Sequence, residues 1–112
     1  MRIAAVVGDL LLFSRIDAAA ASAGATLERV DAPDDLLAPA GIDLVLVDWS
    51  ARREPWANTL VDLRAMSDAR VILFGQHTDL AAHAAARAAG LGPMWARSRL
   101  VNALPELFSE PA

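Results

Sequence analysis

The segment Ile42–Ser50, IDLVLVDWS, constrains the fold more than any other part of the chain. Ile42, Leu44, Val45, Leu46 and Val47 form a near-continuous apolar run that stops at the carboxylate of Asp48. A run this short, rich in Val and Leu, with Gly41 before it and polar residues after, reads as a strand buried on both faces. Such strands belong to parallel sheets covered by helices on each side. In an open sheet of that kind, ligands bind beyond the carboxyl ends of the strands. Asp48 is therefore expected at the mouth of the fold, outside its core.

The rest of the chain repeats the pattern. Arg2–Val7 is another short apolar run, ended by Gly8 and Asp9. Leu10–Ala23 is built from strong helix formers, with Leu12, Ile16, Ala19, Ala20 and Ala23 on one face and Gly24 as its stop. Thr26–Val30 alternates and carries two charges, which suits an edge strand. Between Pro33 and Pro39 there is room for a helix of about two turns, with Asp34 and Asp35 at its positive end. After Asp48, Trp49–Glu54 reads as a loop, and Pro55 opens a helix with Trp56, Leu60 and Leu63 inward. Arg70–Phe74 is a fourth strand ended by Gly75. Thr78 is placed to cap an Ala-rich helix that Gly90 closes. A weak fifth strand lies around Pro93-Met94-Trp95. Ser98 is placed to cap a last helix, in which Pro105 is expected to cause a kink or a break. Strand and helix alternate five times over short connections, the pattern of a doubly wound α/β sandwich.

Composition narrows the function classes. The 112 residues are read as one domain, 1–112, with the tail 109–112 expected to fray. The net charge of −4 disfavours nucleic acid and anionic membrane as partners, since both need a basic patch. The absence of cysteine rules out disulfides and thiolate metal sites. No signal peptide and no apolar stretch of membrane-spanning length is visible, so a cytoplasmic location is expected.

With Asp9, Asp48, Gly75 and Arg97 at the ends of four strands, the chain resembles the receiver domain of two-component response regulators over essentially its whole length. The resemblance implies a flavodoxin-like, CheY-like three-layer sandwich, a five-stranded parallel sheet in order 2-1-3-4-5 with helices on both faces. It makes Asp48 the counterpart of the phospho-accepting aspartate. The family's first strand ends in two adjacent acids, and here that site reads Gly8-Asp9. Its fourth strand ends in Thr or Ser, and here Gly75 stands there. Its fifth strand ends in Lys-Pro preceded by an aromatic; here Trp95, Arg97 and Ser98 hold those places. One acid and the hydroxyl are missing, and the lysine is arginine, so the member is an atypical one.

Each residue carries two readings. Asp9, Asp48 and the Ser50 carbonyl would together form a weak Mg²⁺ site, because Gly8 cannot supply the outer carboxylate; otherwise Asp9 is a solvated acid near a positive helix end. Asp48 is either a phospho-acceptor or the partner of Arg97 in a bidentate fork that holds the crevice shut. Gly75 removes the hydroxyl that bonds the phosphoryl group in the family and drags a loop with it; otherwise it is a tight turn. Trp95 is a rotating aromatic or a packed surface anchor. His77 and His83 are six positions apart and off a common helical face, so a metal role is not expected. Arg52 and Arg53 read as solvated loop charges.

Three functions follow. The first is a phosphorylation-independent interaction module whose docking face carries Arg87, Trp95, Arg99 and Asn102, suited to a homodimer or a protein partner such as a sensor kinase or a downstream regulator. The second is a stand-alone receiver phosphorylated on Asp48 with Mg²⁺. The third, an enzyme with an aspartate nucleophile, needs a nearby general acid that only Glu54 supplies. The first is adopted, with no enzymatic activity and no cofactor beyond a weak Mg²⁺ ion.

Overall fold

A computed structural model describes residues 1–36 and 38–109. Five strands, β1 (Arg2–Val6), β2 (Thr26–Val30), β3 (Leu44–Asp48), β4 (Arg70–Gly75) and β5 (Trp95–Ala96), pair in the order β2-β1-β3-β4-β5. Every pairing is parallel. The helices are α1 (Leu10–Ser22), α2 (Trp56–Met66), α3 (Leu80–Ala88) and α4 (Arg97–Ser109). This is the doubly wound sandwich that the apolar runs predict, with both faces of the sheet covered.

The two faces have separate cores. Because side chains alternate along a strand, Val45 and Val47 of β3 join Trp56, Leu60 and Leu63 of α2 and Ala82 and Ala86 of α3. Leu44 and Leu46 join Leu12, Ile16 and Ala20 of α1 and Leu100, Leu104, Leu107 and Phe108 of α4. The run that reads as a doubly buried strand is one: Leu44, Val45, Leu46 and Val47 are almost inaccessible. On α1, Leu12, Ile16 and Ala20 are buried, whereas Ala23 caps the helix end and Gly24 follows with φ +70°.

Four expectations need correction. No α-helix joins β2 to β3 among the described residues. Pro33–Asp35 and Pro39–Gly41 form two single 3₁₀ turns instead, and residue 37 lies outside the described residues. The two prolines are too close: the residue before Pro39 is pushed off helical geometry, and Ala38 adopts φ −140°. Arg2 ties the crossover down, its amide donating to Asp43 Oδ2 at 2.8 Å and its guanidinium to the Ala38 carbonyl at 3.0 Å. Among the described residues the α-helix count is therefore four, not five.

The second correction is the cap of α3, which is Asp79 and not Thr78: Asp79 Oδ1 accepts from the Ala82 amide at 3.0 Å. Third, Ser98 caps nothing, because α4 already begins at Arg97. Fourth, α4 is not broken by Pro105; it runs through to Ser109, so the tail expected to fray from 109 is ordered at its first residue, and 110–112 lie outside the described residues. Proline in a helix interior costs about 3 kcal/mol. Burying Leu100, Leu104, Leu107 and Phe108 contributes roughly 1.5–3 kcal/mol each, which outweighs it.

Candidate functional site

The site forms where the strands end. In the register, Val6 of β1 lies beside Val47 of β3, and Asp48 beside Phe74, which pairs in turn with Trp95. Gly75 and Ala96 are one level further out. Asp9 and Arg97 follow immediately after, at the starts of α1 and α4. The strand order reverses between β1 and β3, the switch point at which open α/β sheets hold ligands. Asp9 and Asp48 stand on its two sides.

Asp9 is fully engaged. Its Oδ1 caps α1, accepting from the amides of Leu11 at 2.9 Å and Leu12 at 3.2 Å. Its Oδ2 accepts from Arg97 Nη2 in a short charge-assisted contact. These partners, the Leu12 amide first and Arg97 next, hold the Asp9 carboxyl below the usual carboxylate range. The pair is open to solvent, so it adds little to stability. Its consequence is electrostatic, since both oxygens of the acid at the end of β1 already accept hydrogen bonds and one of them faces a guanidinium.

Asp48 is not held by Arg97, so of its two readings the bidentate fork does not form. Arg97 reaches Asp9 instead, and no ion pair forms on Asp48 among the described residues. Half-burial pushes the Asp48 carboxyl above its ordinary value; the charge of Arg97 and the amides of Ser50 and Ala51 oppose that, and Asp9 adds to it. The three groups therefore feel one another's charge without meeting in one pocket. Asp9 and Arg97 line a groove of about 730 Å³ with Arg15, Thr78, Ser98 and Asn102. Asp48 lines a separate cavity of about 440 Å³ with Gly8, Asp31, Arg53 and Trp56.

The donor set does not suit Mg²⁺ as arranged. That ion wants near-octahedral oxygen ligands, commonly one or two carboxylates with water. Asp9 gives Oδ1 to two amides and Oδ2 to the Arg97 guanidinium, whose positive charge opposes a cation there, and Gly8 contributes no side chain, although a Cβ there would meet nothing within 4 Å. Among the described residues, no cluster of His, Asp or Glu could hold a metal ion.

The turn after Asp48 is more than a loop. Trp49–Ala51 is a 3₁₀ turn, and Trp49 is buried, its Nε1 donating to the Ala82 carbonyl of α3 at 3.0 Å. Arg52 is not a free surface charge: it donates to the Trp49 carbonyl at 3.2 Å and lies over the Trp49 ring. Arg53 lies 5.8 Å from the Trp56 ring centroid. His83 Nε2 donates to the His77 carbonyl at 3.0 Å, which makes both local scaffold. Ser50 engages through its hydroxyl: Oγ accepts from the Gln76 amide at 3.2 Å. Nothing in the sequence marks that role; Ser50 and Gly75 need the sheet to bring them together.

The residues read as a docking face are split. Arg99 stacks on half-buried Trp95, its guanidinium carbon 3.9 Å from the ring centroid. Asn102 lines the groove beside Asp9 and Arg97. Arg87 is exposed on α3, which packs on the opposite face of the sheet. Asp31 was missed as a site residue; it carries an acid into the Asp48 cavity from the end of β2, where Arg29 Nη1 holds it at 3.3 Å.

No family model matches the sequence, and no curated protein does. Among solved structures, the chain is similar to a response regulator protein from Burkholderia multivorans, determined in solution. The two share 28% identity with a TM-score of 0.70, over 99% of this chain and 96% of that one. This is a CheY-like receiver fold. On that fold Asp48 ends the third strand and Gly75 the fourth, while Gly8 follows the first and Arg97 the fifth. No described helix of this receiver-like chain is long and apolar enough to cross a membrane.

Proposed function

We propose that this receiver-like chain is a regulatory protein-interaction module that works without phosphorylation and catalyses no reaction. One observation carries the reading: Arg97 and the first turn of α1 take up both oxygens of Asp9. Phosphoryl transfer to an aspartate builds negative charge that Mg²⁺ must neutralise. Here an arginine already occupies the acid that would hold the ion, and Mg²⁺ binding is weak at best. The enzyme reading fares no better: Glu54 does not line the Asp48 cavity, and Asp31, which does, is paired with Arg29.

The docking face on this reading is the surface around β5 and α4, with Trp95, Arg99 and Asn102 at its centre; Arg87, on the other side of the sheet, is outside it. A stacked Trp–Arg pair is the kind of rigid anchor that dominates interfaces. Its occupant is a second copy of the chain or a signalling protein, a kinase or a downstream regulator, in the cytoplasm.

A second reading has one observation in its favour. The Asp48 carboxylate makes no ion pair among the described residues and opens on its own cavity, so it remains free to attack a phosphoryl donor. Incubation with Mg²⁺ and a small-molecule phosphoryl donor, followed by intact mass, separates the two. The module predicts an unchanged mass and an association state that Trp95→Ala weakens. A mass gain abolished by Asp48→Asn establishes the phospho-receiver instead.

A further inference from the structure

Gly75 and Ser50 form a matched pair. A Cβ built on Gly75 would collide with Ser50 Oγ and come within 2.9 Å of Met94 Sδ. The Ser50 hydroxyl thus stands where a side chain at residue 75 would begin. From there it accepts the Gln76 amide at 3.2 Å. We infer that Ser50 is the positioning residue that ties the Asp48 end of the site to the entrance of α3, in place of any side chain at residue 75.

The connection is continuous on both sides. Toward the site, Ser50 lies two residues after Asp48 in the Trp49–Ala51 turn, whose amides favour the charged Asp48 carboxylate. Toward α3, the Gln76 carbonyl accepts from the Asp79 amide at 3.0 Å, and Asp79 Oδ1 caps the helix through Ala82. Trp49 grips the same helix separately, through its indole on the Ala82 carbonyl. One short turn therefore holds α3 by an apolar anchor and by a single replaceable hydrogen bond. Any change of charge at Asp48 acts on the Ser50 and Ala51 amides and passes through Oγ to Gln76. A double-mutant cycle measures the coupling between Asp48 and Ser50 directly. It holds whether or not Asp48 is ever modified, and its failure is separate from failure of the docking assay.

The cycle uses the whole chain as wild type, Asp48→Asn, Ser50→Ala and the double variant, followed by amide shifts and amide hydrogen exchange. Asp48→Asn displaces the amides of Gln76, Asp79 and Ala82 when Ser50 is present, and leaves them unmoved when it is alanine. Exchange at Gln76 rises roughly 3–10-fold in Ser50→Ala, the range for one hydrogen bond. Equal displacement in both backgrounds, no displacement in either, or a Gln76 amide that exchanges alike with and without Oγ overturns the inference.

Discussion

Asp9 and Asp48 meet opposite environments, and the pH dependence of stability separates them. Asp9 has a lowered folded value, so its stabilisation is present above the ordinary carboxylate range and is lost as pH falls through that lowered value. Asp48 has a raised folded value, so its charge opposes folding at neutral pH, and that cost is relieved as pH falls through the raised value. Asp48→Asn is therefore expected to raise the melting temperature at pH 7, with the gain vanishing in acid, and Asp9→Asn to lower it; thermal unfolding across pH checks both signs. Arg97→Ala should move the Asp9 carboxyl titration up toward the usual range, read from its side-chain carbon shift. At this scale, the sequence located Asp9, Asp48 and Arg97 at strand ends but paired Arg97 with the wrong acid. Strand ends can be read from apolar runs; which carboxylate a long guanidinium reaches depends on where α1 and α4 start, and Asp9 was already committed as a helix cap.

Among the elements, the strands were the legible part and the helix termini were not. Short apolar runs mark buried strands by themselves, while the sheet order 2-1-3-4-5 came from the receiver resemblance and the pairing bears it out. The crossover from β2 to β3 misled because Asp34 and Asp35 after Pro33 look like a helix start, while Pro39 arrives too soon for a second turn. In α4, Pro105 was outvoted by the four buried residues around it. Pro105 is exposed, so Pro105→Ala restores a helix hydrogen bond at no packing cost. It should stabilise the chain by about 1–3 kcal/mol in urea unfolding, reduced from the full proline penalty by the added freedom of the unfolded chain. Asp79→Ala removes the cap of α3 and should cost about 1 kcal/mol in the same measurement.

For the whole molecule, the receiver fold brings the ends of β1, β3, β4 and β5 together and leaves the chemistry to the residues placed there. In this chain those residues favour a closed arrangement: a guanidinium on Asp9, no side chain at Gly8 or Gly75, and a hydroxyl supplied from Ser50. Gly8 offers a constructive test, because a Cβ there meets nothing within 4 Å. Gly8→Asp combined with Arg97→Ala should gain Mg²⁺ binding that neither substitution confers fully alone. The most direct measurement is a Mg²⁺ titration of the unaltered chain, followed by the amide signals of Gly8, Asp9, Trp49 and Ser50. No saturable movement is expected at millimolar Mg²⁺. A saturable shift at these four amides, abolished by Asp9→Asn, would contradict that expectation.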